Sequence, residues 1–548
     1  MRLIAGVATA TIALPAAVAG GESPVVYVFD TVTLTGDPAP GTTDTLKSFA
    51  DPVLNGAGEV AFLGYFGAAM NQGIFEESGG TITAVALEGD PAPGTTDTFT
   101  AFGILAPVLD DIGVVALRGL FGSAFPSGTS GIFKEGGGTL GEVALTGDAV
   151  PGTIDTFTNF GDPVVNGAGP VAFHGFFGDA FSDGIFKASE GTLDEVALTG
   201  HPAPGTADTF GAFGVPRLNG AGDTAFQAFL GDAALGATGI FKESGGTLGK
   251  VALPGDPAPG TTATFTGFGD PALSGAGDTA FVGAFGAASA LLAGAFRESG
   301  RTRMELALAR HPKRNGRNSS PRVGASVLYG TAEMPFVAFS GAAIDQGVFK
   351  ESGGTLAAVA LSNDPAPGTT GMFIGFSAPV LNGPSAVAFL GRFGATPSDM
   401  GLFTDSGGTL TAVALVGDPA PGTTDTFRFF NYPVPVLNAR GEVAFTVVLG
   451  PSGGEMPDPG EGSGVFVSDP QTALLHKILA AGDMLEVAPG DVREVREVLV
   501  RGPSGNHDGR GTGFNDRGQA ALRLVFADGS EAIVRATPAE AALDRLRS

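Results

Sequence analysis

One phrase returns down the chain at a nearly constant interval, and it constrains the fold more than any other feature. Gly-Asp-Pro-Ala-Pro-Gly-Thr begins at Gly36, Gly89, Gly255 and Gly417. Close variants begin at Gly147, Gly200 and Asn363, and degenerate versions at Arg310 and Gly482. Successive starts lie 53, 58, 53, 55, 55, 53, 54 and 65 residues apart. A period of this size marks one supersecondary unit copied along the chain, with length changes that loops tolerate.

Each period carries four apolar patches. The first is a Phe-x-x-Phe pair, as at Phe99 and Phe102, Phe157 and Phe160, Phe210 and Phe213, or Phe373 and Phe376. The second follows an Asn-Gly-Ala-Gly turn, as at Asn55 to Gly58 leading into Glu59-Val60-Ala61-Phe62-Leu63. The third is Gly-Ile-Phe-Lys-Glu, at Gly131 to Glu135 and Gly239 to Glu243. The fourth is Thr-Leu-x-x-Val-Ala-Leu, at Thr139 to Leu145 and Thr355 to Leu361. Short patches rich in Val, Ile and Phe, separated by Asn-Gly, Gly-Gly and Pro-x-Pro-Gly breakers, read as strands rather than helices. The Asp-Pro-Ala-Pro segment cannot enter a central ladder, because proline lacks the amide donor. It is expected on the surface, joining one unit to the next.

A unit of roughly 54 residues buries too little surface to stand alone. Strands such as Val60 to Leu63 are apolar on both faces, so each sheet needs a neighbour on either side, which stacking supplies. Radial stacking gives a β-propeller and linear stacking a solenoid. The chain ends favour the ring. Val25 to Leu34 matches the fourth strand alone, whereas the chain after Gly482 offers three strands, near Val492 to Val500, Gln519 to Phe526 and Ala532 to Arg535. One plus three completes a unit. The expected fold is all-β: a β-propeller of about nine four-stranded repeats, closed by pairing of the N- and C-terminal strands. Eight blades with one irregular unit is the alternative.

Composition bounds the partners. The 548 residues include 89 Gly, yet 43% are hydrophobic, so the glycines punctuate buried elements instead of forming a linker. Net charge is −26, which disfavours nucleic acid as a partner, since phosphate binding needs clustered Lys and Arg. There is no cysteine, so disulfides and thiolate chemistry are excluded. Arg2 followed by the apolar run Leu3 to Ala16 and Ala17-Val18-Ala19 reads as an export signal cut after Ala19. The expected plan is a signal peptide over 1–19, a repeat domain over 20–537 and a charged tail over 538–548 with no apolar anchor. The mature protein is expected to be secreted or periplasmic, monomeric and without a membrane span.

The Asn-x-x-Gly-x-x-Ala-Phe pattern, at Asn55 to Phe62, Asn166 to Phe173, Asn219 to Phe226 and Asn438 to Phe445, with a relative at Asn382 to Phe389 that has Ser385 in the Gly place, covers nearly the whole mature chain. In this it resembles the bacterial choice-of-anchor tandem-repeat exoproteins with the NxxGxxAF repeat. The resemblance implies an exported repeat protein and brings no defined activity.

Candidate chemistry is sparse. The five histidines, His174, His201, His311, His476 and His507, share no metal-ligand spacing and read as incidental. The recurring Asp of the connecting loop (Asp37, Asp90, Asp148, Asp256, Asp364, Asp418) reads as a turn residue that bonds nearby backbone amides; a cation-gathering ring is the alternative. Asn506, Asp508, Asn515 and Asp516 place oxygen ligands around a Gly-rich loop and are weak calcium candidates. A basic run, Arg297, Arg301, Arg303, Arg310, Lys313, Arg314, Arg317 and Arg322, interrupts the repeat, and the chain over about 300–330 is expected to be its least ordered part. The function expected is a non-enzymatic exported scaffold with an interaction or envelope-associated role, its ligand a glycan or surface protein. An enzyme with a site in the channel and a calcium-dependent adhesive module are the alternatives.

Overall fold

The computed structural model describes residues 9–10, 25–103, 107–122, 129–166, 169–178, 182–231, 237–286, 292–300, 302–308, 322–326, 334–340, 345–352, 355–377, 379–381, 386–394, 399–430, 435–451, 462–470, 472, 474–502 and 512–539. Every named element is a β-strand, and the strands form antiparallel sheets of four to six members. The expected propeller-type unit is plain in sheet 3. Phe157–Phe160, Val171–Phe177, Ser182–Ser189 and Thr192–Leu198 lie side by side in chain order. Sequence reading missed one element: the two-residue strand Val164–Val165, just before the Asn-Gly turn, pairs with Val171–Phe177 beside the Phe-x-x-Phe strand. Sheets 1 to 8 occupy residues 46–87, 99–145, 157–198, 210–252, 265–308, 322–361, 373–415 and 426–480.

Sheet 9 joins both ends of the chain. Asp491–Val500, Ala520–Phe526 and Glu531–Pro538 are followed in lateral order by Tyr27–Leu34. The last strand runs past Arg535 and takes in Pro538, the first residue of the expected tail, because Tyr27 and Val26 continue the pairing. Met484–Ala488 adds an edge hairpin to Asp491–Val500. Thr9–Ala10, inside the expected leader, pairs with Tyr27–Leu34 on its other side.

Local chemistry explains the unit. Ser-Gly-Gly turns need positive φ, and Gly79 and Gly80 adopt 59° and 81°. In the Asn55 turn the side-chain Oδ1 accepts the amides of Ala57 and Glu59, at 3.0 and 2.9 Å. The connecting loop lies outside the ladders, as expected, but folds as a small hairpin of its own. Pro38 bridges Thr45, the Ala39 amide donates to the Asp44 carbonyl at 2.9 Å, and Ala39 is buried. The same bridge recurs at Pro91, Pro202, Pro257, Pro365 and Pro419.

The core lies between sheets. Phe157, Phe160, Phe173 and Phe186 of sheet 3 pack with Ala116, Ile132 and Ala144 of sheet 2, and the pattern repeats at other junctions. Within a sheet, Phe157 meets Phe186 edge-on at 4.8 Å and Phe173 stacks on Phe186 at 5.7 Å. Gly175 sits under these rings. A Cβ there would lie 2.8 Å from Phe157 Cε1, so the position admits no side chain. Each buried Phe contributes about 2–3 kcal/mol, and a lone sheet would leave its rings wet on one face.

Two side-chain ladders run from sheet to sheet. In the first, the Asn of each turn donates to the matching turn of the next sheet. Asn55 Nδ2 reaches the Asp110 carbonyl at 3.0 Å, Asn166 reaches Asn219, Asn219 reaches Ser274, Asn438 reaches Asn515, and Asn515 reaches Asn55 at 2.9 Å. In the second, the Lys of Gly-Ile-Phe-Lys-Glu bridges to the following sheet. Lys242 Nζ reaches the Gly277 carbonyl and Glu298 Oε2, both at 2.7 Å. Lys187 likewise bonds the Gly222 carbonyl at 3.0 Å and pairs with Glu243. Arg535 of sheet 9 does the same to sheet 1, reaching the Gly58 carbonyl at 2.7 Å and Glu77 Oε2 at 2.5 Å.

Sheet 6 departs from the rule. Its first strand, Arg322–Ser326, carries no Phe pair, and 309–321 lies outside the described residues. Within 300–330, Thr302–Leu308 and Arg322–Ser326 are strands, and 301 and 327–330, like 309–321, lie outside the described residues.

Candidate functional site

Most of the expected site residues serve the scaffold. The loop Asp side chain accepts the amide of the Leu three residues before it: Asp37 from Leu34 at 2.8 Å, Asp148 from Leu145 at 2.8 Å, Asp256 from Leu253 at 3.1 Å and Asp418 from Leu415 at 3.1 Å. Asn515 gives its amide group to Gln519 and to the Asn55 carbonyl, and Asp516 accepts from the Ala439 amide at 2.7 Å. Asn506 and Asp508 lie outside the described residues, as do His311 and His507. Among the described residues no group of three carboxylate or imidazole side chains is set to hold a metal ion. His174 meets Asp183 at 2.8 Å, while the same carboxylate accepts from Thr199 and from the Phe213 amide. His201 is half-exposed and 3.9 Å from Glu195. Burial lowers the pKa of His476, which keeps it neutral.

The non-repeating chemistry sits elsewhere, at one edge of the sheets. The Phe-x-x-Phe strand is the free edge of its sheet, and the two-residue strands beside it pack against their counterparts in neighbouring sheets. This is therefore the edge at which the sheets converge. Each such strand is bulged. Register shifts between Leu46 and Ser48, Phe157 and Asn159, Phe210 and Ala212, Phe265 and Gly267, Phe373 and Gly375, Phe427 and Phe429, and Val495 and Glu497. In sheet 2 the skipped residue is Thr100. A bulge leaves one residue without a ladder partner and re-aims its side chain. In sheets 2 to 5 the skipped residues are Thr100, Thr158, Gly211 and Thr266; in sheet 7 it is Ile374. In sheets 8, 9 and 1 they are Arg428, Arg496 and Lys47.

Those three sheets follow one another, so the substitutions form an arc of cations at the converging edge. Lys47 and Arg496 are exposed and Arg428 is half-buried. Arg392, exposed and paired in register with Met400 on the other side of its strand and with Gly375 at the edge, extends the arc into sheet 7. Beside the arc, Arg523 pairs with Glu531 at 3.2 Å, and Glu531 also accepts the Phe49 amide at 2.9 Å. Glu497 lies half-buried next to Arg496. Desolvation pushes its pKa up, the Arg523 and Arg496 charges pull it down, and Asp51 and Glu531 push it up again. The chemistry available is fixed cations for anions, with carboxylates beside them that accept hydroxyl protons.

Glu531 also illustrates what sequence reading missed. In five sheets the amide of the second Phe position bonds a side chain of the preceding sheet, a different one each time, whereas Phe160 uses its own neighbour Asn159. Gln72 serves Phe102 at 2.8 Å, Asp183 serves Phe213 at 3.1 Å, Thr238 serves Phe268 at 2.9 Å, Ser463 serves Val498 at 2.7 Å and Glu531 serves Phe49. One backbone requirement met by five residue types leaves no motif. The cations did leave a signal, in the column between the paired Phe residues, where Lys or Arg replaces Thr or Gly.

No curated protein matches the sequence. Among solved structures, the chain is similar at 11% identity to one from an analysis of two prolyl endopeptidases, with TM-score 0.37, over 78% of this chain and 55% of that chain. It thus spans just over half the length of that protein. It is similar at 11% identity and TM-score 0.32 to the β-propeller domain of the Trilobed protease from Pyrococcus furiosus, over 68% of this chain and 99% of that one. An oligogalacturonate lyase in complex with manganese matches with the same identity and TM-score over 71% and 97%. A family model covers residues 26–307 and 317–536, most of the chain, and the protein therefore belongs to that family, DUF7453, a family of unknown function.

Proposed function

We propose that the protein is an exported nine-bladed β-propeller, closed by its own two ends, that acts as a binding scaffold. The observation that carries closure is Arg535. Its bonds to Gly58 and Glu77 copy those that Lys242 makes to Gly277 and Glu298, so sheet 9 meets sheet 1 as sheet 4 meets sheet 5. The Asn515 to Asn55 bond supports the same reading independently. Export rests on the leader over 1–19 and on the resemblance to choice-of-anchor exoproteins. The scaffold reading rests on a division of labour: junction residues repeat, while the converging edge varies between sheets.

A second reading, an enzyme at the converging edge, draws on Glu497, whose raised pKa beside Arg496 suits a proton donor. One experiment separates the two. Mature protein is incubated with envelope and exopolysaccharide preparations, and both retention and the mass of the bound material are measured. Retention without chemical change is expected. A change in mass overturns the scaffold reading in favour of the enzyme, and absence of retention overturns binding altogether. Closure has its own check, since the chain has no cysteine. Val28→Cys with Thr537→Cys, paired in register, should cross-link the two ends on oxidation. Free thiols in the oxidised folded protein would show the ring to be open.

A further inference from the structure

The arc of Arg428, Arg496 and Lys47 has no counterpart in sheets 2 to 5 and 7, where the same bulge carries Thr, Gly or Ile. We propose that this arc is the binding site for an acidic polysaccharide whose sugar carboxylates engage the three cations; the proposal rests on the scaffold reading above. Four observations on the chain point to that ligand class. First, in a protein of net charge −26, cations at equivalent positions on three successive sheets are a local enrichment in positive charge. Second, the bulge puts each of them at the same position of the edge, one cation on each of three successive sheets. One cation per sheet suits repeated charges on a chain better than one small anion.

Third, the cations are interleaved with Glu497 and Asp51, which influence each other's charge. Carboxylates repel a phosphodiester backbone, but they accept protons from sugar hydroxyls. A uronate polymer offers both partners: carboxylates that match the guanidinium fork, and hydroxyls for the acids. Fourth, apolar surface lies on the same edge. Phe429, next to Arg428, is 37% exposed, and Ile374 of the adjoining sheet is 45% exposed. An exposed aromatic ring offers a face for the C–H side of a sugar.

The test uses the full mature chain in buffer with chelator, and polygalacturonate, dextran sulfate, dextran and single-stranded poly-dT as probes. Polygalacturonate should bind, neutral dextran should not, and binding should weaken steeply with added salt. The triple variant K47T/R428T/R496T installs the residue that Thr100, Thr158 and Thr266 already carry at this bulge, so folding is preserved by precedent. It should lose about tenfold or more in affinity for polygalacturonate. The charge-matched control K250T/R303T/K477T removes three cations from fourth strands of their sheets and should stay within about twofold. Equal losses in both variants, or none in the triple variant, would overturn the arc as the site. Preference for dextran sulfate or poly-dT would overturn the carboxylate class. If envelope retention persists while polygalacturonate fails to bind, this proposal falls and the scaffold reading stands.

Discussion

The junction of sheets 9 and 1 and the junction of sheets 1 and 2 use the same two positions in opposite ways. At the first, Arg535 lies buried against Glu77, with the Gly58 carbonyl completing its coordination and Asp30 at 3.4 Å. At the second, the residue in the Lys position is Glu76, whose pKa is raised to about 7 by burial first and then by Glu135, Glu59, Glu77 and Asp110. One junction holds a charge pair and the next a carboxylate cluster, although the strands pair in the same register. The backbone and the Phe core therefore set the geometry of a junction, and the ladder side chains tune its energy. The pair is placed at the sheet that holds both ends of the chain, and there a loose junction would free Tyr27–Leu34.

The largest effect should come from removing that strand. Deleting residues 25–34 strips Glu531–Pro538 of one of its two strand partners and leaves Val32, Phe29 and Tyr27 out of two core clusters. The melting temperature should fall sharply, with sheet 9 losing amide protection first. A deletion variant that melts with the intact protein would mean that the two ends do not hold the ring.

Arg535→Ala should come next, costing about 3–5 kcal/mol, because Glu77 is left buried and uncompensated. The double variant Arg535→Ala with Glu77→Ala should recover part of that loss, since it removes the stranded carboxylate. Equilibrium unfolding in urea measures both. A single-variant cost under 1 kcal/mol, or a double variant worse than the single, would break the comparison at its stronger side.

Much of this architecture could be read from the sequence, for a physical reason. The Phe-x-x-Phe, Ala-Phe and Ile-Phe patches fill one inter-sheet space, so their spacing repeats wherever the space repeats. Gly175 and its equivalents recur because rings occupy the room a Cβ would take. The one-plus-three division of strands at the chain ends was legible from the same spacing. What could not be read were groups that meet a backbone need with whatever side chain reaches it, such as Gln72, Asp183 and Ser463. Nor could the bulge be seen, because register depends on pairing and not on composition. Nor did the sequence show that Asn515, one of the expected calcium ligands, belongs to the turn ladder, where its oxygen and nitrogen are engaged. The cationic column was present in the sequence at Lys47, Arg428 and Arg496, but it acquires meaning only once those residues are known to share one edge.

At the weaker junction, Glu76→Lys should repair the ladder. Lys134, Lys187, Lys242 and Lys350 already occupy this position, and all four bond the turn carbonyl or an acid of the next sheet. The new Lys would meet Glu135 and the Gly113 turn. Stability at pH 8 should rise by about 1–2 kcal/mol, the sum of a repulsion removed and a partly buried pair gained. No gain would mean that the acidic cluster is already compensated by groups other than the one being replaced.

The smallest effect is the pH dependence of the same site, and its sign follows from the direction of the shift. Burial, and then Glu135, Glu59, Glu77 and Asp110, lift the Glu76 pKa from its ordinary 4.5 to about 7. Between those values the folded protein holds a proton that the unfolded chain has released, so stability falls as pH rises through the window. Below 4.5 both states are protonated and the penalty vanishes; above 7 both are ionised and it is constant. Glu76→Gln cannot ionise and escapes the penalty. The variant should match the parent at pH 4 and exceed it by on the order of 1 kcal/mol at pH 8, a figure reduced for the solvent that reaches this half-buried group. Asp110 is raised by burial as well and adds a slope of the same sign. For that reason the readout is the difference between the two proteins and not either curve alone. A difference that stays flat from pH 4 to pH 8 would show that Glu76 titrates as an ordinary surface carboxylate. The contrast between the two junctions would then be one of geometry without an electrostatic consequence.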